Sequence, residues 1–176
     1  MPDQEQSQRT GEDLLKRRRE RHAHRVALID QVREEDQTRP GVTDEWSVKD
    51  HMAHLTWWEQ RVLRVLRGEA DPIEAVPPRQ DAGRGTASES EEAGLARVNA
   101  YVRALALDRP LDEVGTAFNA SYQQMLPLSE TAPDDILATY YDWISGNSAA
   151  HDEEHIGGIG AWMAREHLPR RTPGAQ

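Results

Sequence analysis

Ser47-Val-Lys-Asp-His-Met-Ala-His-Leu-Thr-Trp-Trp-Glu-Gln-Arg-Val-Leu-Arg-Val-Leu-Arg-Gly68 decides how the chain folds. Val48, Met52, Leu55, Val62 and Leu66 recur at the steps that align apolar side chains along one face of an α-helix. Ser47 is a good N-cap, with Asp50 three residues on as a shortened capping box, and Gly68 is a natural stop. Three further segments carry the same period. One runs from about Gly11 to Asp36, with Leu15, His22, Val26 and Ile29 on a common face. Another follows Pro110 with Leu111, Val114, Phe118, Tyr122 and Met125, and Pro127 is expected to bend or end it because proline removes a helix donor. The last runs from about Asp134 to His167, with Ile144, Ser148, His151, His155, Ile159 and Trp162 along one stripe.

Working outward from these four, residues 69–88 form a connection rich in Pro, Gly, Ala and acidic residues, followed by a shorter helical stretch from Ser90 to Asp108. A connection of this length within a compact domain is a functional lid or a disordered segment, and here it could cover the mouth of a bundle. No alternating strand pattern, hairpin signal or internal repeat occurs. The expected fold is therefore all-α: a helix bundle with a long loop and an extra short helix between its second and third helices. Residues 1–10 and 169–176 read as loose tails on a single domain spanning 11–168.

Composition bounds the function. A chain of 176 residues suits one domain that buries enough surface to need no disulfide. Its cysteine count of zero excludes thiolate ligands and cysteine nucleophiles, so any thiol in the chemistry must come from a cosubstrate. A formal net charge of −10 argues against nucleic acid, whose phosphates require concentrated Lys and Arg. The basic cluster Lys16-Arg-Arg-Arg-Glu-Arg21, with Arg25 after it, reads as the solvated side of the first helix. Neither an apolar run long enough for a membrane span nor a signal-like leader is present, so the cytoplasm is the expected location.

The chemistry lies in the histidines. His151 and His155 stand four residues apart in His151-Asp-Glu-Glu-His155, a spacing that puts both rings on one helical face. His54 lies in a distant helical segment at the edge of the apolar stripe. A lone histidine there would read as a core residue bonded to a neighbour, but two more imidazoles on an apolar stripe need a shared partner, and a divalent ion is one. Three protein ligands leave a coordination position for water or substrate, as in catalytic sites. His22, His24, His51 and His167 are read as satisfied core or surface residues.

Several acidic residues could serve such a site. Asp50, one turn before His54, could orient its ring, and Asp152 and Glu154 flank the histidine pair. Glu59, on the Met52–Leu55–Val62 stripe, is a candidate fourth ligand or general base, and Glu59 and Glu154 are the candidate catalytic residues. Trp57, Trp58 and Trp162 could wall an apolar pocket, although helical spacing fits core positions equally. Gly157, Gly158 and Gly160 are expected to allow close packing beside the ion or a kink below it. His151-Asp-Glu-Glu-His155 also matches the inverted zinc-protease pattern, which belongs to much larger proteins. Ferritin-like di-iron bundles need Glu-x-x-His, and none of the seven histidines has Glu three residues before it.

The stretch Gly41–Glu59, with Trp46-Ser-Val-Lys-Asp50, Ala53-His54-Leu55 and Trp58-Glu59, resembles the second helix of the DinB-like superfamily. Arg97-Val-Asn99, Asp108-Arg-Pro-Leu-Asp-Glu-Val114, Ile144-Ser-Gly-Asn147 leading to His151 and Glu154-His155, and finally Trp162, are similar to its ClbS/DfsB branch. The resemblance implies an up-down-down-up four-helix bundle of the DinB/YfiT type, often a homodimer, and a divalent-metal site carried over to His54, His151 and His155. The superfamily includes S-transferases and isomerases that use bacillithiol or mycothiol. The ClbS branch includes a colibactin self-resistance protein that opens a cyclopropane ring, which implies a role in stress or toxin resistance.

Two functional readings follow. One is a metal-dependent enzyme using Zn, Ni or Fe on a small electrophilic molecule. Its nucleophile would be metal-activated water, as in a hydrolase, or a metal-bound low-molecular-weight thiol, as in an S-transferase. The other is a non-catalytic protein that binds or sequesters a small molecule. Neither requires nucleic acid or a membrane.

Overall fold

The computed structural model describes residues 2–67, 90–131 and 149–168, together with Glu69, Val76, Trp143 and Ile144. Among the described residues the architecture is all-α, with no strand. Helix α1 spans Pro2–Ile29 and is followed by a 3-10 turn at Glu34–Asp36; α2 spans Val48–Leu66, α3 Glu91–Ala106, α4 Leu111–Thr131 and α5 Ala149–Arg165. None of these helices is long and apolar enough to cross a membrane.

Local chemistry accounts for the boundaries. The Ser47 side chain accepts from the Asp50 amide, and Asp50 Oδ2 accepts from the Ser47 amide at 2.8 Å, which closes the expected capping box at the start of α2. Helix α1 begins at Pro2, with residues 2–10 in its first turns, and it stops at Ile29, short of Asp36. Pro127 does not end α4, which continues to Thr131. Its missing N–H costs the helix one hydrogen bond, to the Gln123 carbonyl, and the Thr131 hydroxyl donates to the Pro127 carbonyl at 2.8 Å. The expected lid over residues 69–88 lies outside the described residues apart from Glu69 and Val76, as do the tail 169–176 and the start of the last segment up to 142.

Helix α2 is central: it packs against α3, α4 and α5, while α1 packs against α4 and α5. The main core joins Val48, Met52 and Leu55 of α2 to Ile29, Val114, Phe118, Ile159 and Trp162. A second cluster gathers Val62, Leu63, Met125 and Ile144. A third sets Trp58 of α2 against Val98 and Val102 of α3, with Val76 from the long connection buried among them. Between α1 and α2 the chain turns sharply at Gly41, whose φ of +111° is open to glycine alone, and the amides of Gly41 and Val42 both donate to the Trp46 carbonyl. That turn sets Trp46 beside the first turn of α2.

Candidate metal centre

The capped N-terminus of α2 carries His51 and His54 one turn apart, and α5 carries His151 and His155 at the same kind of spacing. His51 and His54 are each 2% exposed, while His151 and His155 are half-buried. Where the two helices meet, the rings converge. The Nε2 atoms of His54 and His155 each lie 2.9 Å from Nε2 of His151. One ring nitrogen from each of His54, His151 and His155 falls within 4.8 Å of the others, so the three could hold a metal ion. His51 joins the group, its Nδ1 2.8 Å from Nδ1 of His155.

These contacts fit poorly as hydrogen bonds alone. A neutral imidazole nitrogen has either one N–H or one in-plane lone pair, so Nε2 of His151 can make one good hydrogen bond, yet two other Nε2 atoms crowd it. An extra proton does not resolve this at neutral pH. Burial, with its neighbours' charge added, holds His54 down to about 2, and burial holds His51 and His151 down to about 3. His155 is lowered by burial too, against the opposing pull of the Glu154 carboxylate. Rings kept neutral with lone pairs aimed at a shared point are suited to a cation with bonds of about 2.0–2.1 Å. Nδ1 of His54 and Nδ1 of His151 are buried without a hydrogen-bond partner.

In front of the rings opens a cleft of about 630 Å³, lined by Trp46, Trp58, Asn99, Arg103 and Glu154 in addition to the four histidines and Thr43, Leu95, Ala96 and Ala100. The volume is that of a small-molecule site. Trp46 stands edge-on to His54 with ring centroids 5.2 Å apart, and Trp58 packs edge-on against His151 at 5.7 Å. Arg103 donates to the Glu45 carbonyl at 2.7 Å and lies 3.8 Å from Asp50.

The candidates named from the sequence are distributed as follows. His54, His151 and His155 come together, and Glu154 lines the cleft beside them. Glu59 is not brought to the group. Its Oε1 accepts from Arg25 at 3.0 Å and from Arg18 at 3.4 Å, and Ser121 Oγ donates to its Oε2, all in a buried setting. Asp50 is committed to the helix cap, with Ser47 donating both its amide and its hydroxyl to Oδ2, and His54 Nδ1 has no hydrogen-bond partner. Asp152 is outside the described side chains. Trp162 lies in the main core and Trp57 packs beside the third cluster, so Trp58 alone of the three named tryptophans lines the cleft.

Sequence reasoning missed three features. His51 joins the cluster, a role its three-residue step to His54 could have suggested. Trp46 walls the cleft from a loop, where helical periodicity gives no signal. Arg18 and Arg25 are buried and not solvated; their seven-residue step, with His22 between, places them on the inward face of α1. His22 accepts from Arg25 through Nδ1 at 2.8 Å and stacks on Tyr122 with ring centroids 3.3 Å apart. Burial, helped by the charges of Arg25 and Arg18, holds it down to about 4. The helix glycines are not sites of forced close approach: a Cβ at Gly157 meets nothing within 4 Å, and at Gly158 and Gly160 it meets ordinary contacts of 3.7 and 3.9 Å.

Comparison with known proteins adds an independent line. A family model described as the DinB superfamily matches residues 35–168. The fold is similar to the crystal structure of an uncharacterised protein from Escherichia coli UTI89, with a TM-score of 0.67 and 14% identity over 90% of this chain and 95% of that one. At that identity the likeness speaks for the fold alone. No curated protein matches the sequence.

Proposed function

The chain belongs to the DinB superfamily, and from that premise we propose that it is a metal-dependent enzyme acting on a small, partly apolar electrophile, with His54, His151 and His155 as the ligands of a divalent ion. The observation that carries this reading is the meeting of three neutral Nε2 atoms from α2 and α5 at the floor of a cleft. Three imidazoles suit zinc, iron or nickel. When bound, such an ion supplies Lewis acidity and makes a nucleophile available at neutral pH, from water or from a thiol cosubstrate.

The chain's own residues do the rest. Trp46 and Trp58 keep water off the rings and offer an apolar wall to the body of the substrate. Arg103 and Asn99 of α3 present polar groups at the opposite wall and orient its polar end. Glu154 at the rim is close enough to the histidines to act on His155 electrostatically and is the candidate to take up or deliver a proton. Glu59, neutralised by two arginines, has a supporting role. Within the superfamily we assign the chain to the neighbourhood of the ClbS/DfsB branch and read α1, α2, α4 and α5 as an up-down-down-up bundle with α3 added.

Elemental analysis of protein purified without an affinity tag tests the proposal. Stoichiometric divalent metal is expected in the wild type, and its loss in His151→Ala with the helical circular dichroism spectrum intact. A wild-type protein that takes up no metal would overturn the enzyme reading and leave a small-molecule binding protein in its place.

A further inference from the structure

We infer that His51 is a positioning residue of the metal centre: its Nδ1 accepts a hydrogen bond from Nδ1–H of His155 and so fixes the rotation and tautomer in which His155 presents Nε2 to the ion. The inference rests on the reading of His54, His151 and His155 as ligands and extends it by one residue.

The argument begins with proton counting. A neutral imidazole carries one N–H and one lone pair, so a ring that binds an ion through Nε2 has its proton on Nδ1. Bound histidines are commonly held by a hydrogen bond from that second nitrogen to a carboxylate, a carbonyl or water. For His54 and His151 the second nitrogen is buried without a partner. His155 differs, since its Nδ1 lies 2.8 Å from Nδ1 of His51. At that separation two neutral rings attract only if one of the facing nitrogens is protonated and the other is not. With Nε2 of His155 given to the ion, the proton sits on His155 Nδ1, His155 donates, and His51 accepts. The proton of His51 is then on its own Nε2.

The geometry also keeps His51 from being a ligand itself. It contacts His155 at Nδ1, the nitrogen of that ring that does not face Nε2 of His151, and its own Nε2 is buried without a partner. Its ring is held in place, 2% exposed, with Trp46 at 5.4 Å and the His155 ring at 4.8 Å between centroids. Its backbone amide donates to the Ser47 carbonyl at 3.1 Å, in the capped first turn of α2. One helix thus supplies a ligand at residue 54 and, one turn earlier, the acceptor that orients a ligand on another helix. A neutral acceptor orients the ring without adding negative charge to the centre, in contrast to the carboxylate that often takes this place.

Two substitutions separate hydrogen bonding from packing. His51→Phe keeps a ring and removes the acceptor, whereas His51→Asn offers a carboxamide oxygen near the place of Nδ1. Zinc affinity, read by competition with a chelator, is expected to fall about 10–100-fold in His51→Phe and to stay near wild type in His51→Asn. The visible spectrum of cobalt-loaded protein should shift in the first variant only. If His51→Phe matches wild type in both measurements while His155→Ala abolishes binding, this inference falls and the metal reading stands. If the wild type binds no zinc, both fall. Nitrogen NMR of histidine-labelled, zinc-loaded wild type needs no variant to fold. His51 protonated on Nε2 and His155 on Nδ1 are expected, and a proton on Nδ1 of His51 would overturn the assignment.

Discussion

Glu59 shows how a single side chain can be placed correctly by periodicity and still be misread. Its spacing from Met52, Leu55 and Val62 put it on the inward face of the second helix, and it is indeed buried, with its side chain 2% exposed. What periodicity cannot supply is the identity of the facing group, which here is the Arg18 and Arg25 pair of α1. Breaking a buried ion pair from one side leaves charge uncompensated, typically at about 3–5 kcal/mol. Glu59→Gln is therefore expected to lower unfolding stability in urea by an amount of that order while metal stoichiometry is unchanged. Retained stability with lost metal would return Glu59 to the centre. His51 was hidden for a related reason: its partner is 104 residues away on α5, and sequence spacing along one helix does not reveal a contact between helices.

At the level of elements, α2 and α4 were the most legible, because Ser47, Gly68 and Pro110 punctuate a strong apolar period. In the run before the histidine pair, Ile144 is buried in the second cluster as its stripe requires, while Ser148 lies outside the described residues. Two helices can be tested directly. Ser47 both accepts from the Asp50 amide and donates to its carboxylate, so Ser47→Ala should cost about 0.5–2 kcal/mol and loosen the turn that carries His51 and His54. Thermal unfolding measures the first effect, and zinc affinity the second. An unchanged melting temperature would mean that packing alone holds this end of α2. Gly157 is the opposite case, since it lies inside α5 and a Cβ there meets nothing within 4 Å. Gly157→Ala is expected to raise stability by up to about 1 kcal/mol through helix propensity. A loss of stability instead would indicate that the helix needs flexibility at this point.

For the whole molecule, acid is the informative variable. His22, His51, His54, His151 and His155 all have folded values below the ordinary 6.5, chiefly because burial disfavours the charged ring. Between 6.5 and those lower values the unfolded chain binds more protons than the folded one. The stability these rings contribute is thus complete above pH 6.5 and is lost as pH falls through the folded values, about 4 for His22, about 3 for His51 and His151 and about 2 for His54. Chelated protein is expected to unfold progressively through this range in a circular dichroism titration, and added zinc should move the midpoint to lower pH because the ion competes with protons for the same nitrogens. Stability indifferent to pH between about 7 and 5 would contradict the buried, neutral state of the rings.

The wide separation of the histidines along the chain has a consequence for biosynthesis. Residue 54 belongs to α2, while residues 151 and 155 belong to α5, the last of the described helices. A polypeptide released early by the ribosome, or clipped ahead of α5, keeps at most two of the four imidazoles and has no complete ligand set. An ion held by His54, His151 and His155 would therefore bind only copies in which translation has run past α5.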